Sequence, residues 1–89
     1  MTKERLNQVR TEIENRCNVV GIQFKSICIN DIENDNFVLL QIDQNKWSSC
    51  MKRFFKRGFK SHNITDYVII DNPDNDVLIV FNAKEKEEN

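Results

Sequence analysis

Two stretches of this 89-residue chain pass through the same order of patterns. Each begins with apolar residues at helical spacing, reaches a glycine, then runs through an apolar strand-like segment, an Asn/Asp-rich turn and a second apolar segment. The chain has two glycines, Gly21 and Gly58, and they hold equivalent places: Gly21-Ile22-Gln23-Phe24-Lys25-Ser26 in one stretch, Gly58-Phe59-Lys60-Ser61 in the other. This order predicts a duplicated helix-hairpin unit and an α+β fold, α-β-β-α-β-β, around an antiparallel sheet. A chain this short cannot supply two separate cores, so residues 1–83 are expected to form one domain. The tail 84–89 has no apolar residue and is expected to be flexible and charged.

The first helix is expected over Lys3 to Arg16, with Leu6, Val9, Ile13 and Cys17 on one face and Thr2 as its cap. Ile22, Phe24, Ile27, Cys28 and Ile29 read as a strand, residues 30–36 as a turn, and Phe37 to Ile42 as the returning strand. The second helix carries the strongest period in the chain, with Trp47, Cys50, Met51, Phe54, Phe55 and Gly58 at i, i+3, i+4, i+7, i+8 and i+11. It is expected over residues 45 to 57, capped by Asp43 or Asn45 and stopped by Gly58. Tyr67 to Ile70 and Val77 to Phe81 then flank the turn from Asp71 to Asp76.

These strands are apolar on both sides, which calls for two covers. A helix on each side of the sheet is one solution, and a homodimer packing sheet to sheet is another.

Charge separates the two helices. The first mixes Glu4, Glu12 and Glu14 with Arg5, Arg10 and Arg16, as a solvated helix face does. Residues 44–62 hold six cations, Lys46, Lys52, Arg53, Lys56, Arg57 and Lys60, and no acid, inside a chain of net charge −1. On a helical projection the six fall within an arc of about 140°, beside the apolar arc. Cations spaced along about 20 Å of helix match backbone phosphates, whose neutralisation releases counterions and adds sequence-independent affinity. Lys25 and His62 are flanking candidates. With the Phe residues assigned to the core, few aromatics remain for base stacking, and low sequence specificity is expected.

Catalytic and cofactor chemistry finds no support. His62 has no serine or cysteine at a nucleophile spacing, and two isolated glycines make no phosphate loop. The carboxylates of the two turns lack the glycine and distal glutamate of a calcium loop, and Asn and Asp are what turns require. Cys17, Cys28 and Cys50 show no metal-binding or redox spacing and read as small buried hydrophobes of a reducing compartment. No apolar run approaches the roughly 20 residues of a membrane span. The charged start Met1-Thr2-Lys3-Glu4-Arg5 is unlike a signal core. The chain therefore reads as non-enzymatic, without metal or cofactor, and cytoplasmic. Its heavy use of asparagine is usual in AT-rich genomes such as those of many phages, in which case the compartment is the host cytoplasm.

The stretch from Phe37 through the second helix, Gly58-Phe59 and the Asn75-Asp76 turn to Val80 resembles the double-wing domain. That is the C-terminal promoter-binding domain of the middle-gene transcription activator of T4-like phages, which also repeats helices that end at a glycine and lead into hairpins. This sequence departs from it in having no preceding helix-turn-helix domain and no Asn-Gly turns. The resemblance therefore implies a nucleic-acid-facing fold of phage type rather than promoter activation. The expected function is a small RNA- or DNA-binding regulator or host-counteracting factor. The alternative is a protein-interaction inhibitor, an antitoxin or anti-defence factor with an acidic or toxin-like host protein as partner, docking its basic helix on an acidic surface or its acidic turns on the cationic site of a nucleic-acid-binding protein.

Overall fold

A computed structural model describes residues 3–32, 35–56 and 66–82 of the chain. The elements are α1 (Lys3–Val20), β1 (Ser26–Ile32), β2 (Asp35–Ile42), α2 (Gln44–Lys56), β3 (Tyr67–Ile70) and β4 (Val77–Asn82), the α-β-β-α-β-β order that the sequence patterns predict. The four strands form one antiparallel sheet in the order β1-β2-β4-β3. The second strand of each hairpin is central and the first is an edge, so the two halves meet along β2 and β4.

That seam is the middle of the core. Val38, Leu40 and Ile42 of β2 lie opposite Phe81, Ile79 and Val77 of β4, and all six are at most 1% exposed. Strand residues alternate sides, so these six share one face, and Ile27, Ile29, Tyr67 and Ile69 extend it onto the edge strands. Both helices cover that same face. Leu6, Val9, Ile13, Cys17 and Val20 of α1 and Trp47, Cys50 and Phe54 of α2 join the strand residues in a single buried cluster. The arrangement with a helix on each side of the sheet is therefore not adopted. The opposite face, centred on Leu39 and Val80, is half-buried to exposed.

Several boundaries differ from the sequence expectation. The first helix runs on to Val20 because its stop is the glycine: Gly21 has φ +79°, and the Ile22 amide donates to the Cys17 carbonyl at 2.8 Å. This six-to-one bond with a left-handed residue inside it is the Schellman closure, and buried Ile22 supplies its apolar contact. Ile22 and Phe24 consequently belong to the link before β1 rather than to the strand.

The first turn is shorter than expected. Ile32 pairs with Asp35, so β1 and β2 absorb Asn30, Asp31, Ile32 and Asn36. An edge strand tolerates such polar residues where they reach solvent. The residues between, 33–34, lie outside those described.

Asp43 is the cap of α2, accepting from the Asn45 amide at 2.9 Å. Thr2 and Gly58, the other two expected boundary residues, lie outside the described residues. The β3–β4 turn closes as its Asn and Asp content requires. The Asn75 amide donates to the Asn72 carbonyl at 2.9 Å, and the Asp74 amide to Asn72 Oδ1 at 3.3 Å.

Candidate nucleic-acid interface

α2 is aimed by three buried side chains and two ties. Trp47, Cys50 and Phe54 fix the inward direction, and Phe54 meets Tyr67 of β3 edge-on at a ring separation of 5.1 Å. Gln44 Nε2, at the N-terminus of α2, donates to Asp71 Oδ1 and to the carbonyls of Asn72 and Asn75 at 2.9–3.0 Å. The acidic turn and the start of α2 thus form one unit.

Nearer its other end, Arg53 Nη1 donates to the Gly21 carbonyl at 2.7 Å. α1 has no basic residue in its last turn, and Arg53 brings a positive charge to that helix C-terminus from outside. The two halves are joined there.

With α2 fixed in this way, Lys46, Lys52 and Arg53 are exposed. Lys46 and Lys52 have no side-chain partner among the described residues. Arg53 combines exposure with its bond to Gly21. Lys56 lies in the last turn of α2, while Arg57, Lys60 and His62 fall outside the described residues.

Lys25 is not on this helix. Its ammonium donates to Asp76 Oδ2 at 2.9 Å, Gln41 Nε2 donates to the same oxygen at 2.7 Å, and Ser26 Oγ donates to Gln41 Oε1 at 3.0 Å. The Lys25 bond, with help from Gln41, holds the Asp76 carboxyl below its usual range, and Asp76 holds the Lys25 ammonium above its own. Its charge is thus matched within the fold.

The expectation that every aromatic of α2 is core is corrected. Met51 is 39% exposed and Phe55 56% exposed. On the helical projection Phe55 lies about 100° from the centre of the buried Trp47-Cys50-Phe54 arc and about 60° from Lys52. The angle was available in the sequence; the narrowness of the strip that the sheet edge covers was not. Phe55 keeps one edge-on contact, to Phe54 at 5.4 Å, so a rigid aromatic stands beside an exposed lysine.

Cys17 and Cys50 are buried as expected, whereas Cys28 is exposed on the open face of the sheet. Burial, reinforced by neighbouring Cys50, pushes the Cys17 thiol up to about 12, which leaves it protonated and inert at neutral pH. Among the described residues no group of three or more metal-ligating side chains comes together, and no helix is long and apolar enough to cross a membrane.

What this surface can do chemically is bind anions along a line and offer one aromatic face. No family model, curated protein or solved structure matches the chain.

Proposed function

We propose that the chain is a small non-enzymatic nucleic-acid-binding protein, a phage-type regulator or host-counteracting factor. It acts in the host cytoplasm, with nucleic acid and a second copy of itself as partners. The observation that carries this reading is the outward surface of α2, where Lys46, Lys52 and Arg53 stand without an acid on the helix and half-exposed Phe55 stands beside Lys52. The lysines supply phosphate contacts and Phe55 a stacking platform, a combination suited to single strands and loops whose bases are free to splay. The resemblance to the double-wing domain supports the same direction.

The test is titration of a single-stranded oligonucleotide, a duplex and a structured RNA across several salt concentrations. Log affinity is expected to fall linearly with log salt. Phe55→Ala is expected to weaken the single strand by about 1–3 kcal/mol and the duplex much less. A flat salt dependence, or no binding at low salt, removes the reading.

A second reading, protein-interaction inhibitor, rests on the acidic turn, whose shape is held by Asn72 and Gln44. It gains only if a protein partner survives nuclease treatment and is lost on charge reversal at Asp71, Asp74 and Asp76.

A further inference from the structure

The strand register sorts every outward residue of the sheet into rows. One row crosses all four strands as Cys28, Leu39, Val80 and Val68, with Leu78 and Ile70 beside it in the next. Every one of these six is apolar. Cys28, Val68 and Ile70 are exposed, the last two by 54% and 48%, and Leu39, Leu78 and Val80 are only half-buried although they lie on central strands. Polar residues stand at the two ends of the face, Ser26 and Gln41 at one and Asn30, Asn82 and Asp66 at the other, where half-buried Phe37 lies between Asn30 and Asn82. The six central side chains carry no charge; at the end of the face Asp66 Oδ2 accepts from Asn82 Nδ2 at 3.2 Å.

We infer that this face is the contact surface between two copies of the chain, packed sheet to sheet. Three observations favour a second copy as the occupant.

The first is charge. A surface that meets itself must not oppose like charges at its centre, and the six central residues have none; Asp66 lies at the polar end beside Asn82, and Lys25 with Asp76 is paired beyond the other.

The second is area. Four strands about 4.8 Å apart and three rows about 7 Å apart give a face of about 20 by 20 Å, so two copies together bury on the order of 800 Å². That is the low end of the range, the size of a weak dimer that forms only as concentration rises.

The third is layout. An apolar centre with polar ends is the anatomy of an interface, and the central row repeats across the β2–β4 seam, Leu39 answering Val80 and Cys28 answering Val68.

In such a dimer the helices form the outer layers. The two α2 axes lie about 30 Å apart on opposite sides, three layer spacings of about 10 Å. Where this rests on the nucleic-acid reading of α2, the consequence is that a dimer joins two nucleic-acid segments rather than gripping one.

The experiment is sedimentation equilibrium of the protein alone, under reductant and without nucleic acid, so its outcome is independent of the binding titrations. Wild type is expected to move from one chain mass toward two as its concentration rises to about 100 µM. The double variant Cys28→Glu with Val68→Glu changes two residues already exposed in the monomer and places like charges across the seam; it is expected to stay at one chain mass with its circular dichroism unchanged.

A second measurement needs no variant. The alkylation rate of Cys28 is expected to fall at least tenfold from dilute to concentrated protein. A wild-type chain that remains at one chain mass at about 300 µM, a dimer that persists in the folded double variant, or a Cys28 rate independent of concentration overturns the inference.

Discussion

α1 and α2 hold equivalent places in the repeated unit and lie on the same face of one sheet, yet they spend their surfaces differently. α1 buries five side chains along 18 residues, and its exposed side pairs charges, as in the Arg10–Glu14 bridge at 3.3 Å. α2 buries Trp47, Cys50 and Phe54 along 13 residues, has no acid, and leaves Met51 and Phe55 in solvent. A helix that only closes a core has no use for unrelieved like charge or for an exposed phenyl ring. The comparison teaches that the shared part of the repeat is the scaffold and that the difference between copies is where binding is to be sought.

The largest expected effect probes the shared part. Phe54 is 1% exposed and touches Trp47, Phe55 and Tyr67, so Phe54→Ala is expected to cost about 3–5 kcal/mol in a denaturant melt. A cost near that of an exposed position would show that α2 is not anchored like α1.

Next comes the joint between copies. Gly21→Ala forces a side chain into φ +79° and is expected to lose about 1–2 kcal/mol, although the added carbon meets Arg53 only at an ordinary 3.6 Å. A neutral result would mean that α1 ends by some other means.

The smallest effect concerns Lys25. Because the Asp76 carboxyl is lowered in the fold, its stabilisation is present above the unfolded carboxylate value and is lost as pH falls through the lowered one. The raised Lys25 loses its share only as pH rises through its own raised value. Lys25→Met is therefore expected to melt slightly below wild type at neutral pH, with the gap closing toward acid; a gap that widens there would remove Asp76 as its partner.

Much of the scaffold was legible in the residues. The Trp47-Cys50-Phe54 spacing located α2, and the apolar runs from Phe37 to Ile42 and from Val77 to Phe81 located the two central strands. Other features turn on tertiary context. Asn30, Asp31 and Asn36 look like turn residues, but they cost little on edge strand β1 and on the end of β2 that runs past its pairing with β4, so the hairpin is longer than its composition implied. Met51 and Phe55 have the right period for a core and are left outside because the sheet covers only a narrow strip of α2. In the sequence Arg53 is one cation among six, whereas its bond to the Gly21 carbonyl depends on the end of α1 coming close, which no local pattern encodes. The sheet's two apolar faces were visible; which one the helices take was not.

The central claim is that α2, and not its counterpart, is the nucleic-acid surface. The most direct measurement is the affinity of a labelled single-stranded oligonucleotide for wild type and two variants of equal net charge. One variant is Lys46→Glu with Lys52→Glu on α2. The other is Lys3→Glu with Gln8→Glu and Asn15→Asp on exposed positions of α1. The α2 variant is expected to bind at least tenfold more weakly, about 1.4 kcal/mol, with a salt slope lower by about 2, while the α1 variant stays close to wild type. Equal losses in the two variants, or no loss in the first, would contradict the account.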